Sequence, residues 1–440
     1  MDWKRMNERL TIKGFCGIDD IDLQVGDITV LIGPQAMGKS ICAKSLYYFK
    51  TFFTAMLAAI QEGKTRSEFD EVLEDRFEEY FPLESPSRAF VLRYEVKNSE
   101  GRGQFIRIRR PANRSHVRIT YSEPIRKLYE TLRRDYRRQF GTKSKDKSGG
   151  FLQRMEFQEL ARSRFGELMA GRQEGLQLFI PAGRSFFAIL HGNIFSFLEA
   201  STAALDPFLK RFGSYYESMK RYDQYAYERY RRSSKQSKRF QRVREKVEKL
   251  IYSILRGQFR SERDKDYLVS SDGRKTSLAN SSSGQQETLP LAVILRSLHA
   301  GSRDLRTAGT VYIEEPEAHI FPAAQRQIVQ LIALLFNASK AQGPLQFVLT
   351  THSPYIVTVL NNLMLAGKLA RRLRGRRKVE LLKLVDEDQV LNPGEIRCYS
   401  VHDGISEPMI DRETGLLRSD VIDEVSDQLS IEFGKMLELD

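Results

Sequence analysis

Cysteine is scarce and unpatterned: Cys16, Cys42 and Cys398 are an odd number in 440 residues, with no C-x-x-C spacing. That argues against a disulfide framework and against a cysteine-ligated zinc site, and leaves buried free thiols as the expectation. No stretch approaches the roughly 18 to 20 uninterrupted apolar residues that a bilayer span needs, so no membrane association is expected. The first residues, Met1-Asp2-Trp3-Lys4-Arg5-Met6, carry no apolar core ahead of a small-residue cleavage site. No secretory signal is read there, and a cytoplasmic location follows as an expectation. The base-reading motif N-K-x-D is missing, which disfavours a GTPase, and no internal repeat stands out.

What is present is an ordinary globular composition, 41% hydrophobic and 29% charged, which excludes disorder. The length allows two to four domains around at least one substantial core. The formal net charge of +13 is unevenly placed. Residues 101–150 carry 15 Lys/Arg against 4 Asp/Glu, and residues 201–260 carry 16 against 6, so the rest of the chain is acidic. A basic face attracts phosphate backbones, or acidic proteins that mimic them. A solvated helix face is the plainer use of such a run.

Hydrophobic spacing orders the chain. Leu10, Ile12 and Phe15, then Ile18, Ile21 and Leu23, read as two antiparallel strands, and Ile28-Thr29-Val30-Leu31-Ile32 as a buried central strand. A helix is predicted from Lys39, with Leu46, Phe49, Phe53, Met56, Leu57 and Ile60 on its core face. A second amphipathic segment, 69–80, stops before Pro82. Stretches 90–96, 105–108 and 117–121 read as a small antiparallel sheet. From 122 to 260 the character is helical: a basic helix over 126–140, a polar loop over 143–150, a helix over 151–168, and a short strand at 176–180 before Pro181-Ala182-Gly183-Arg184-Ser185. The segment 208–257, with Tyr215, Tyr216, Tyr222, Tyr225, Tyr227 and Tyr230, is either one long helix or a hairpin broken near Ser233-Ser234. Its tyrosines can stack on bases, but a seam between packed helices is the commoner use. A second α/β stretch follows. It has helices over 289–298 (Pro290 early), 323–336 and 354–365, strands over 310–313, 345–350, 379–385 and 396–401, and a final helix over 421–437.

Four segments carry chemistry. Gly33-Pro34-Gln35-Ala36-Met37-Gly38-Lys39-Ser40, followed by Ile41, is a G-x-x-x-x-G-K-S placed after an apolar strand and before a helix. Its glycines let backbone N–H groups and the helix N-terminus converge on phosphate oxygens, Lys39 reaches the β- and γ-phosphates, and the Ser40 hydroxyl ligates Mg²⁺. Thr310-Val-Tyr-Ile-Glu314-Glu315-Pro-Glu317-Ala-His319 sets adjacent carboxylates at the C-terminal end of a buried strand, where ligands collect in an open α/β sheet. Glu314 can face a Mg²⁺ shell while Glu315 orients or deprotonates an attacking water; an acidic helix start is the plainer alternative. Asn280-Ser281-Ser282-Ser283-Gly284-Gln285-Gln286-Glu287 is a small-residue loop opening a helix, suited to an anion or simply a capped linker with Ser283 and Glu287 as local partners. His352, just after a β run, can reach a γ-phosphate or the water, though a lone histidine there is more often structural.

In this order and spacing the four segments resemble the ABC-type ATPases of the SMC, RecF and OLD group. The resemblance covers about residues 8–120 and 275–390, and the helical middle matches only in position. It implies an α/β fold, an ABC-type P-loop NTPase head with a mixed sheet flanked by helices and an inserted basic helical domain. Residues 33–40 then stand as Walker A and Glu314-Glu315 as Walker B. Ser281–Gln285 resembles the L-S-G-G-Q signature, with Ser282 as its serine and Gly284 as its second glycine, and His352 is similar to the switch histidine. Such ATPases bind ATP and Mg²⁺ in sites shared between subunits, so a homodimer or higher oligomer is implied. Departures are a glutamate in place of the Walker B aspartate, as in the OLD-like branch, Ser281 in place of the signature leucine, and no assignable Q-loop glutamine, with Gln104 and the 181–185 segment as candidates.

The organisation that follows is a head lobe over 1–121, a basic helical insertion over 122–274, a second head lobe over 275–395, and a C-terminal strand and helix over 396–440. OLD nucleases follow the ATPase with a TOPRIM domain, for which the 50 residues after Val390 are too few. No nuclease activity of the chain's own is expected. The nearest resemblance is to the ATPase subunits of the PARIS anti-phage system. It implies an oligomeric sensor and scaffold that holds a separate TOPRIM-family nuclease until an acidic phage trigger protein, or nucleic acid, meets the basic helical domain. The alternative is an SMC/RecF-like, ATP-gated DNA clamp in repair or recombination. The importer or exporter reading is disfavoured by the wide basic insertion.

Overall fold

The structure is a computed structural model and describes residues 7–82, 88–97, 103–112, 114–140, 149–169, 175–189, 206–231, 237–262, 265–300, 308–341, 343–418 and 431. Its frame is one mixed sheet of 11 strands in the order β6-β5-β4-β1-β2-β14-β13-β3-β12-β11-β7. These are β1 (Asn7–Phe15), β2 (Ile18–Val25), β3 (Ile28–Ile32), β4 (Phe90–Lys97), β5 (Gly103–Arg110), β6 (Arg118–Tyr121), β7 (Leu176–Ile180), β11 (Gly309–Glu314), β12 (Leu345–Thr351), β13 (Ile396–His402) and β14 (Ile405–Pro408). One half is an antiparallel meander in which β1 pairs with β2 and β4, and β5 with β4 and β6. The other half is parallel: β13 pairs with β3, β3 with β12, β12 with β11, and β11 with β7.

The parallel strands are apolar on both faces, as a sheet covered by helices on each side requires. Successive residues alternate between two cores. Ile28, Val30, Ile32, Val311, Ile313, Phe347 and Leu349 join the core built with helices Lys238–Leu255, Ser283–Ala300, Pro322–Ser339 and Pro354–Arg372. Leu31, Tyr312 and Val348 join the opposite core, with the antiparallel strands and helices Lys39–Lys50, Phe52–Gln61 and Arg66–Tyr80. The α/β fold with a mixed sheet flanked by helices, which the resemblance implies, is therefore present. No described helix is long and apolar enough to cross a membrane.

Several expectations need correction. The helix from Lys39 is interrupted at Thr51, whose hydroxyl turns back onto the Tyr48 carbonyl at 2.9 Å. The helix expected over 289–298 begins at Ser283, because Ser282 accepts from the Gln285 N–H and starts it early; Pro290 thus lies inside it, where no N–H reaches the carbonyl of Gln286. Of residues 379–385, read as a strand, all but the C-capping Val385 lie in a helix, Gly375–Leu384, supported by an Arg376–Glu380 pair one turn apart. A short apolar run does not separate the two by periodicity alone. Strand β7 falls inside the segment read as a helical insertion, yet it is the edge strand of the main sheet. A separate three-stranded sheet, β8 (Gln258–Glu262), β9 (Lys265–Val269) and β10 (Lys275–Ser277), has no counterpart in the sequence reading. Of the thiols expected to be buried, Cys42 and Cys398 are and Cys16 is exposed.

The tyrosine-rich segment is two helices, Pro207–Arg231 and Lys238–Leu255, with the expected break inside residues that are not described. Tyr216 is fully buried on Phe212, so packing is its use. Tyr222, Tyr225, Tyr227 and Tyr230 lie outside the described side chains, and so do the loop at 143–148 and, save residue 431, the helix expected over 421–437.

The sheet also constrains the first loop of the site. Gly33 leaves β3 at φ +152°, and a Cβ there would stand 2.1 Å from the Val401 carbonyl oxygen of β13. Backbone cannot yield as a flexible side chain can. Gly33→Ala should lower the melting temperature in a thermal scan by several degrees, whereas Gly394→Ala, at a position with open space, should leave it within about 1 °C.

Candidate functional site

Parallel pairing brings the C-terminal ends of β3, β12, β11 and β7 to one edge of the sheet. Register places Ile32 opposite Thr351 and Glu314 opposite Thr350. The loops that leave this edge are residues 33–38, Glu315 onward, His352-Ser353 and 181–184. Each sequence-derived candidate is on them or on the helix that follows, except Glu314 at the end of β11, Gln104 on β5 and the signature residues.

The first loop turns through Ala36 (φ +63°) and Gly38 (φ +92°) into helix Lys39–Lys50. Gly38 caps that helix without a side-chain acceptor, so its first N–H groups face outward beside Pro34, Gln35 and Ala36, which are exposed. Met37 and Ile41 pack partly against the core beneath. Lys39 is 5% exposed. Its ammonium donates to the carbonyls of Gly33 (2.7 Å) and Pro34 (2.5 Å) and lies 3.3 Å from His352 Nδ1. Burial pulls its pKa below the ordinary lysine value, against the opposing charges of Glu315 and Glu317.

His352 joins this lysine to Glu315. An ammonium only donates, so Nδ1 accepts and the ring proton sits on Nε2, which donates to Glu315 Oε1 at 3.2 Å. Glu317 fixes the same turn, taking the Thr351 hydroxyl at 2.7 Å and the His352 N–H at 2.6 Å on one oxygen. Glu315 itself adopts φ +42°, a left-handed conformation that is rare for a side chain of this size. Its N–H donates to the Thr350 carbonyl at 2.9 Å.

Glu314 points elsewhere. It is 5% exposed, one carboxylate oxygen accepts from the Ala182 N–H at 3.3 Å, and the other has no hydrogen-bond partner among the described residues. Burial pushes its pKa up, opposed by the Lys44 charge and by the neighbouring Ser40 hydroxyl. A buried, unpartnered carboxylate oxygen beside a serine hydroxyl is an all-oxygen donor set that suits Mg²⁺ completed by phosphate and water. Ser40 and Glu314 are the residues that would hold it.

The signature turn is not hydrogen-bonded to the P-loop within this chain. Ser282 is exposed, its hydroxyl and N–H engage Gln285, and the Gln285 amide donates to the Leu255 carbonyl at 2.8 Å. Gly284 lies against the turn after β11: a Cβ there would be 2.6 Å from the His319 carbonyl oxygen. Of the two Q-loop candidates, Gln104 sits in the antiparallel half, accepting from Ser122, while Ala182 and Arg184 contact the end of β11. Arg184 was not singled out from sequence. It is 1% exposed and ion-paired with Glu287 at 3.2 Å, and burial lowers its pKa against the charges of Glu287 and Glu314.

The family model described as "AAA domain, putative AbiEii toxin, Type IV TA system" matches residues 28–358, three quarters of the chain. The protein belongs to this AAA family. The matched span of the AAA domain runs from β3 to the start of helix Pro354–Arg372 and so includes all four loops of the site. No curated protein matches it significantly. Among solved structures it is similar to the SMC head domain from Thermotoga maritima, at 13% identity over 92% of this chain and 98% of that chain, with a TM-score of 0.33. It is also similar to the recombination mediator protein RecF-ATPrS of the RecFOR pathway, at 11% over 92% and 98%, TM-score 0.35. A third is the Smc head domain with coiled coil and joint from Pyrococcus yayanosii, at 11% over 96% and 99%, TM-score 0.34. Scores this low carry no argument, and the fold rests on the strand order above.

The Glu314 assignment is testable directly. Glu314→Ala should weaken nucleotide binding in the presence of magnesium by about 10-fold while leaving binding in EDTA unchanged, as read by titration with a fluorescent ATP analogue. Equal magnesium dependence in variant and wild type would exclude this carboxylate from the metal.

Proposed function

We propose that this AAA domain binds ATP at the parallel edge of its sheet, hydrolyses it to ADP and phosphate, and completes the site with the signature turn of a second copy. The observation that carries the reading is the line Lys39–His352–Glu315, in which one ring joins the phosphate-directed cation to the carboxylate that would handle water.

The free N–H groups of helix Lys39–Lys50 and the Lys39 ammonium would take the phosphates in place of the Gly33 and Pro34 carbonyls. Mg²⁺ held by Ser40 and Glu314 would neutralise charge on the β- and γ-phosphate oxygens. Glu315 would orient the attacking water and accept its proton as the new oxygen–phosphorus bond forms and the bond to the β,γ-bridging oxygen breaks, releasing ADP. His352 Nε2–H keeps Glu315 in place and can turn to the γ-phosphate. Ser282, exposed at a helix start and engaged only locally, is available to a triphosphate carried by another copy.

At a finer level, we read the protein as an oligomeric sensor and scaffold of a two-component anti-phage defence system. In it, ATP-bridged subunits hold a separate nuclease, of TOPRIM type, and release or activate it when an acidic phage trigger engages the basic surface. Helix Glu123–Phe140 supports this reading. It buries Ile125, Tyr129 and Leu132 and presents Arg134, Arg137 and Arg138 to solvent. The same exposed cations support the rival reading, an ATP-gated DNA clamp. Under the clamp, affinity for plain duplex rises with ATP and falls steeply with salt. Under the sensor, an effector nuclease copurifies after coexpression and plain DNA leaves ATP turnover unchanged.

Two variants test the chemistry. Glu315→Gln should retain nucleotide affinity and lose at least about 100-fold in turnover. Wild-type turnover in that variant would remove Glu315 from the reaction. Lys39→Ala and Ser282→Arg should each be inactive alone, and mixing them should regain part of the activity. Mixed assemblies without any turnover would argue against a shared site.

A further inference from the structure

Among the described residues Arg184 is the largest fully buried side chain, and none of its hydrogen bonds goes to the P-loop. Its guanidinium is spent on backbone. Nη1 donates to the carbonyls of Pro181 (3.0 Å) and Glu314 (2.7 Å), Nη2 to that of Glu315 (3.0 Å), and Nε to that of Glu287 (3.3 Å). The Glu287 carboxylate, also 1% exposed, accepts from the N–H of Arg184 (3.0 Å) and the N–H of Ser185 (2.8 Å) and is ion-paired with Nη2 (3.2 Å). Glu287 stands on the first turns of helix Ser283–Ala300, which Ser282 caps.

Stability alone does not explain this arrangement. A fully buried ion pair replaced by apolar groups of similar volume is often neutral or stabilising. What apolar groups cannot reproduce is the set of acceptors: two of the four carbonyls belong to Glu314 and Glu315. The planar fork fixes their relative placement as a flexible ammonium would not. It also holds Glu315 from one side while Thr350 holds it from the other, in the left-handed conformation that aims its side chain at His352. A second contact runs parallel to the first, where Gly284 abuts the His319 carbonyl of the same turn. Movement of the signature helix therefore reaches Glu315 through a rigid path of a few atoms.

We propose that Arg184, clamped by Glu287, is a positioning residue that transmits the placement of the signature turn to the Glu315 carboxylate, so that docking of a second copy at Ser282 and the setting of the water-handling group are one event. The inference rests on the ATPase reading above. Arg184→Lys keeps the charge for Glu287 but cannot span the Glu314 and Glu315 carbonyls. It should lower kcat about 10-fold or more while KM and nucleotide Kd stay within about 3-fold. The pair replacement Arg184→Met with Glu287→Met removes both charges and should show the same split. Because both sites act on one coordinate, Ser282→Ala and Arg184→Lys should be markedly non-additive in kcat. Turnover within about 2-fold of wild type in either 184 variant, additive losses with Ser282→Ala, kcat and affinity falling together, or loss of the native fold in both 184 variants would each overturn the proposal. A wild-type protein that does not hydrolyse ATP, or a Glu315→Gln variant that hydrolyses it at full rate, strikes instead at the ATPase reading. Full activity in Arg184→Lys beside an inactive Glu315→Gln strikes only at this inference.

Discussion

Strand β12 lies between β3 and β11, parallel to both, and the site depends on that register. The pairs Ile32–Thr351 and Glu314–Thr350 bring a glycine-rich loop, a histidine and two carboxylates to one edge, the histidine from a position 313 residues beyond Lys39. Because side chains alternate along a strand, slipping β12 by one residue would send Phe347 and Leu349 into the wrong core and turn the end of the strand over. The two cores on either face hold the register, so the cost of misplacing His352 is the cost of unpacking the sheet.

Around that edge the polar groups fall into two sets. Lys39, His352 and Glu315 form a partly exposed line in which each donor meets an acceptor. Arg184, Glu287 and the backbone of Glu314 and Glu315 form a buried set in which geometry is fixed by a guanidinium fork. The buried carboxylate oxygen of Glu314 stands apart from both, satisfied by no described protein group and placed beside Ser40. Buried polar atoms without partners are uncommon in folded proteins, and a magnesium–phosphate assembly is the chemistry that would satisfy this one.

Much of the edge was legible in the sequence because its segments combine local signals. Strand, glycine turn and helix are all written within residues 28–50, and paired carboxylates follow an unbroken apolar strand at 314–315. What stayed hidden was whatever depends on partners distant in sequence. Five apolar residues at 176–180 read as a short strand, but nothing local says that it pairs with β11. The strand's apparent membership of a helical insertion followed from its neighbours in sequence, not in space. Arg184 was read only as part of the 181–185 Q-loop candidate, since burial of a charge is invisible until its acceptors are assembled. The helix Gly375–Leu384 was misread as a strand because Val379, Leu381 and Val385 fit a period of two while Leu381, Leu384 and Val385 fit helical spacing over so short a run. Glu287, taken as a local partner of the signature turn, is instead bound to a residue 103 positions away.

In the proposed site each chain is half of a catalytic unit, with Lys39 and Glu315 on one copy and Ser282 on the other. The most direct test is the specific ATPase activity of the wild-type protein as a function of its own concentration at saturating ATP and magnesium. Activity per chain that rises toward a plateau, with the midpoint tracking the appearance of the assembled species, is the predicted result. Activity per chain that stays constant down to concentrations at which only single chains persist would contradict it.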